Sequence, residues 1–68
     1  MKTLKPGDVV VIEWNKNCTD IPDMKKLSGS IGVIKSVLRT GHCMAEISDK
    51  YHRMFYWHPT SLTKIGTL

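Results

Sequence analysis

The sequence predicts an all-β fold, a small barrel of five short strands, on three observations. First, residues 28–37, Ser-Gly-Ser-Ile-Gly-Val-Ile-Lys-Ser-Val, set a Gly-x-x-Gly pair ahead of the β-branched Ile31, Val33, Ile34 and Val37. Such side chains lose χ1 freedom in a helix and fit a pleated surface instead. Second, the turn signal Pro6-Gly7-Asp8 leads directly into Val9-Val10-Val11-Ile12. Third, residues 42–48 and 52–57 each alternate in hydrophobicity and are separated by the turn residues Asp49-Lys50-Tyr51.

Each element follows in chain order. The first strand, residues 9–14, places Val10, Ile12 and Trp14 on one face, with Val10 and Ile12 assigned to the core. Residues 15–23 are polar and turn-rich, a long loop for so small a domain. Asp23 is placed to cap one helical turn through Met24–Leu27, whose Met24 and Leu27 face inward and plug the barrel. The glycine-led strand is central and bent, because paired glycines mark sharp bending or close approach of another strand. It runs to about Leu38, and Arg39-Thr40-Gly41 turns the chain. In the next strand Cys43, Ala45 and Ile47 face the core, opposite His42, Met44, Glu46 and Ser48. The fourth strand turns Phe55 and Trp57 inward and Met54 and Tyr56 outward. Pro59 ends it, a 3₁₀ turn follows at Thr60-Ser61-Leu62, and a short last strand runs from Leu62 to Ile65 before Gly66 ends the order. A long first loop and a tight turn before the last strand are the layout of an SH3-like barrel.

Composition bounds the function. At 68 residues the chain is one domain, ordered over about residues 5–65, with little room for both a scaffold and a deep catalytic cleft. Ten Lys and Arg against six Asp and Glu leave +4, a mild excess that suits nucleic acid or an acidic protein partner equally. The first residues lack the apolar core of a signal peptide, and no run approaches the ~20 apolar residues of a membrane span. The expectation is a cytoplasmic protein that does not engage membranes, with Cys18 and Cys43 as free thiols.

The order Gly7-Asp8-Val9-Val10-Val11-Ile12, then Gly29-Ser30-Ile31-Gly32-Val33-Ile34, resembles the Gly-Asp-x-Val-x-Val and Gly-x-x-Gly-x-Val pattern of KOW-type SH3-like domains. Met24-Lys25-Lys26-Leu27-Ser28-Gly29 and Phe55-Tyr56-Trp57-His58-Pro59 with Leu62 are similar to small SH3-like domains of phage and bacterial proteins, and more distantly to the mind-bomb-type repeat. The resemblance spans roughly residues 5–65. It implies RNA, ribosomal or transcription-protein binding on the KOW side and peptide binding on the mind-bomb side. Similarity to short phage and mobile-element products further implies a role in modulating a host factor. The chain departs from the KOW pattern in a longer loop between Trp14 and Gly29 and in lacking a dense Lys/Arg run.

The expected partner-binding set is Trp14, Arg53, Met54, Tyr56 and His58, an aromatic, Met and Arg cluster of the kind protein interfaces favour. The ligand is expected between the loop of residues 15–23 and the face carrying Trp14, Tyr56 and His58. The alternative is nucleic-acid binding through Lys25, Lys26, Lys35, Arg39 and Lys50, joined by Arg53 and Lys64, with Tyr51 or Tyr56 stacking on a base. Self-association, a homodimer through an exposed edge strand and the outward Val9 and Val11, is a third arrangement. No catalytic residues, metal or cofactor are expected. Cys18, His42, Cys43, His52 and His58 lack Cys-x-x-Cys or His-x₃-His spacing, no Cys–His or Ser–His–Asp arrangement is recognisable, and Gly29-x-x-Gly32 lacks the Lys-Ser/Thr and helix of a phosphate loop.

Overall fold

The computed structural model describes residues 4–68; the sequence reading of the extreme N-terminus therefore falls partly outside the described residues. Five antiparallel strands make one sheet: β1 (Asp8–Ile12), β2 (Ile31–Val37), β3 (Cys43–Ile47), β4 (Met54–Trp57) and β5 (Leu62–Thr67), in the spatial order β4-β3-β2-β1-β5. A short helix α1 (Pro22–Lys26) lies in the loop after β1, and a 3₁₀ turn η1 (Pro59–Ser61) separates β4 from β5. The all-β class and the five strands agree with the sequence reading. The two edge strands are consecutive in the chain, yet no ladder joins them. The sheet is therefore open at the β4–β5 seam, where Pro59 starts η1 and lacks the N–H that a continued ladder would use.

The core lies on one face of this curved sheet. Val10 and Ile12, Ile34, Cys43, Ala45, Ile47, Trp57 and Leu62 are all buried, and Met24 and Leu27 close one end from around α1. Trp57 is the largest side chain that is fully enclosed, and Phe55 packs edge-on against it at 6.2 Å while remaining half-buried. Both cysteines are free and buried.

Glycine marks the two places where the backbone has least room to vary. At Gly32 a Cβ would stand 3.0 Å from the Glu46 carbonyl oxygen and 3.1 Å from Ile12 Cδ1. The absence of a side chain is what lets β1, β2 and β3 draw together there, the close approach that the Gly-x-x-Gly pair predicts. Gly29 serves differently: at φ 90° it occupies the left-handed region, and its N–H donates to the Ile12 carbonyl at 2.6 Å. That bond folds the long loop back onto the end of β1.

Several boundaries differ from the sequence reading. β1 stops at Ile12 because Ile12 and Glu13 donate to Ser30 and Ser61 outside the strand pairs, leaving Trp14 in the loop. Helix α1 begins at Pro22 behind Ile21, whose side chain makes no cap; Asp23 sits within the first turn, where it favours the helix dipole without capping. β4 starts at Met54 and not at His52, because His52 adopts φ 50° in the turn that Asp49 organises. β5 continues past Gly66 to Thr67, carried by a bulge opposite Val9 and Val10. β1 lies between β2 and β5, so Val9 and Val11 are half-buried on an interior strand and not on an edge.

An ion pair between a buried carboxylate and an exposed lysine ties the sheet's opening turn to its last strand. Asp8 is buried, accepts from the Lys5 N–H at 2.9 Å and meets Lys64 Nζ at 3.3 Å. The Lys5 N–H holds the Asp8 carboxyl below its ordinary value; burial opposes this, and Lys64 adds to the lowering. A carboxyl lowered on folding stabilises the fold above the unfolded value of about 4, and that stability drains away as pH falls through the folded value. Asp8→Asn is therefore expected to unfold more easily than wild type at pH 7, with the gap narrowing in denaturant titrations as pH falls through the lowered folded value and the Asp8 charge is lost. Gly32→Ala is expected to cost about 1–3 kcal/mol in urea melts, because a backbone carbonyl cannot step aside as a flexible side chain would.

Candidate functional site

The outward residues of β3 and β4 form the site. The register pairs Met44 with Tyr56 and Glu46 with Met54, and each of these points away from the core set Cys43, Ala45, Phe55 and Trp57. Just beyond the ladder His42 meets His58 edge-to-face at 5.3 Å between ring centres. Met54 and Tyr56 are about half exposed, at 53% and 48%, which for side chains of this size leaves a substantial apolar area in water. The same face continues onto β2, where Val33 pairs with Glu46 and Ser36 with Met44. An open depression beside it is lined by Val33, Glu46, Ile47, Ser48, Asp49 and His52.

Polar groups frame this apolar ladder and are paired among themselves. Glu46 meets Lys35 Nζ at 3.2 Å and His52 Nδ1 at 3.4 Å. Asp49 accepts from Arg53 Nη2 at 3.0 Å and Nε at 3.3 Å, and from the Tyr51 N–H. Partial burial pushes the Asp49 carboxyl up, but Arg53 and the Tyr51 and His52 N–H groups outweigh it and hold it below the ordinary value. At the other end His58 Nδ1 accepts from the Thr60 N–H at 3.2 Å and lies 2.7 Å from Thr60 Oγ1. Thr60 Oγ1 in turn accepts from Asn15 Nδ2 at 3.1 Å, which pins the long loop to η1.

Of the expected binding residues, Arg53, Met54, Tyr56 and His58 are brought together along β4 and its flanks. Trp14 stands apart. It packs against the core at the base of the loop, donates from Nε1 to the Thr19 carbonyl at 3.0 Å, and carries Lys25 Nζ 4.8 Å above its ring. Trp14 thus orders the loop, and the Asn15–Thr60 bond ties that loop to η1. Sequence reasoning missed His42, Met44 and Glu46 as members of the site. Alternation had put them on the outward face; only the register shows that they stand directly against β4.

Four of the expected nucleic-acid cations are engaged in ion pairs. Lys25 is paired with Asp20 at 2.7 Å and Lys35 with Glu46, as are Arg53 with Asp49 and Lys64 with Asp8. Lys26 ends α1, Arg39 lies between β2 and β3, and Lys50 lies between β3 and β4. Lys50 Nζ and Arg53 Cζ do flank the exposed Tyr51 ring, at 5.0 and 5.6 Å. Among the described residues no group of three or more His, Cys, Asp or Glu comes together as a metal site. Burial pushes the Cys43 thiol up, with the Asp8 charge adding, so the thiolate that nucleophilic chemistry needs is disfavoured there. No helix among the described residues is long and apolar enough to cross a membrane.

The chain matches no protein-family model, no curated protein and no solved structure. The site is therefore read from its geometry alone.

His58 acts as the cap of η1, its ring nitrogen doing what a Ser or Asp oxygen does at a helix start. His58→Ala is expected to lower stability by about 1 kcal/mol in denaturant unfolding, and His58→Asp to recover most of it, because the carboxylate accepts the same N–H.

Proposed function

We propose that this chain is an SH3-like barrel that acts as a non-enzymatic interaction module and binds a protein partner through the outward face of β3 and β4. Five antiparallel strands, a long loop after the first and a 3₁₀ turn before the last support the barrel reading. The observation that carries the binding reading is the ladder Met44–Tyr56 and Glu46–Met54, half-exposed and framed by charges already paired. Large apolar side chains surrounded by a satisfied polar rim are what a desolvated interface centre requires. The resemblance to short phage and mobile-element proteins makes a host factor the partner class we favour, met in the cytoplasm.

Nucleic-acid binding is the second reading, supported by Tyr51 between Lys50 and Arg53. A single aromatic with two flanking cations gives one stacking step and few phosphate contacts, so such binding would be weak and strongly salt-dependent.

The two readings separate in one set of measurements. Affinity capture with the full chain from host extract is expected to retain a protein after nuclease treatment and at raised salt, and Met44→Lys is expected to abolish it. Titration with a single-stranded RNA oligonucleotide is expected to show little binding. Tight RNA binding that falls steeply with salt, is lost in Lys50→Glu and survives in Met44→Lys overturns the protein-binding reading.

A further inference from the structure

The two edges of the sheet are protected to different degrees. β5 carries a bulge between the residues facing Val9 and Val10, a charged Lys64 tied to Asp8, and Gly66 near its end. Bulges and edge charges are the devices that stop one sheet from adding to another. β4, Met54-Phe55-Tyr56-Trp57, is protected only by its shortness: it has no bulge, no proline, no charge and no glycine.

Which backbone groups of β4 are free follows from the ladder. Ile47 donates to the Arg53 carbonyl at 2.7 Å, which makes Ile47–Arg53 a bonded pair. Bonded pairs alternate along an antiparallel ladder, so Ala45–Phe55 and Cys43–Trp57 are also bonded, while Met54 and Tyr56 turn their N–H and C=O to the open side. Among the described residues no turn, loop or cap bond uses these groups. The side chains of the same two residues are the exposed Met and Tyr of the outward face.

We infer that β4 pairs antiparallel with β4 of a second copy of this chain across a two-fold axis at Phe55. In this register Met54 N–H and C=O bond Tyr56 of the other copy, and Tyr56 bonds its Met54. On the outward face each Met54 lies beside the other copy's Tyr56, and on the inward face the two half-buried Phe55 rings meet. Arg53 stands opposite Trp57, so no two like charges are set against each other, the condition that cross-strand pairing requires. A two-fold interface must be self-complementary, and Met-Phe-Tyr satisfies that without any substitution. A foreign strand would bond the same groups, but with the identical chain the pairs formed are Met54 with Tyr56, Phe55 with Phe55 and Arg53 with Trp57, apolar and aromatic contacts with no like charges opposed, and these favour a second copy. The two five-stranded sheets become continuous, and the Met44–Tyr56 row of one copy extends into the Met54–Glu46 row of the other. The contact is short, at the small end of interface sizes, so the dimer forms reversibly with concentration.

Equilibrium sedimentation of the full chain tests this, with circular dichroism as the check on folding. Wild type is expected to pass from monomer to dimer as concentration rises toward about 1 mM, the range of a weak short interface. Met54→Lys and Tyr56→Glu are each expected to weaken association by about tenfold or more, and the double variant to regain it, because each new Lys then faces the other copy's Glu. Met54→Pro removes only an outward N–H and is expected to weaken the dimer while leaving the β3–β4 ladder intact. A wild-type chain that stays monomeric at about 1 mM, or a dimer that Met54→Pro leaves untouched and the double variant fails to restore, overturns the inference. Met44 stands on β3 beside Tyr56 and contributes no hydrogen bond to the β4–β4 pairing, so Met44→Lys is sedimented as well, and loss of partner binding counts against the proposed function separately only where the variant still dimerises as wild type does.

Discussion

The structure depends on how closely three strands approach at Gly32. Because that residue has no Cβ, the Glu46 carbonyl and the Ile12 methyl occupy space that any other side chain would take. This closeness curves the sheet enough for β1, β3 and β4 to face one another across a common interior. Val10, Ile12, Ile34, Ala45 and Ile47 can then line one cavity, and Trp57 fills it. In a chain of 68 residues one such interior consumes nearly all the large apolar side chains. Of those left outside, Met54 and Tyr56 share one outward face, paired across the ladder with Glu46 and Met44.

Charge is handled locally. Each ion pair closes a particular junction: Asp8 with Lys64 joins the first turn to the last strand, Asp49 with Arg53 shapes the turn before β4, and Asp20 with Lys25 holds the loop against Trp14. Cations engaged in closing turns are less available for phosphates, whereas Met54 and Tyr56 remain about half exposed on the outward face. The same reasoning sets β4 apart from β5. One edge is interrupted by a bulge and a charge, and the other presents a regular, neutral row of backbone groups beside exposed apolar side chains.

The strands were legible in the residues, because β-branched runs and period-two alternation are local properties. Val10 and Ile12, Cys43, Ala45 and Ile47, and Trp57 all took the faces that alternation assigned to them. Met24 and Leu27 turned inward as their spacing required. The strand ends were less legible. His52 belongs to the alternating pattern of β4, yet its backbone is committed to the turn built by Asp49, a contact that alternation does not describe. Trp14 likewise shares the period of β1 but is claimed by the loop through Thr19 and Lys25.

What the amino-acid order determined by itself was the β class, the number of strands, the inward residues of each and the outward character of Met54 and Tyr56. Only the tertiary structure decided the register that sets Met44 against Tyr56, the pairing of the cations, the bond from Asn15 to Thr60 and the contrast between the two sheet edges. The reason is the range of the forces. Face preference is set by neighbours one or two residues away, while register, edge exposure, the Asp8–Lys64 pair and the Asn15–Thr60 bond depend on separate segments that meet only after the chain has closed around Trp57.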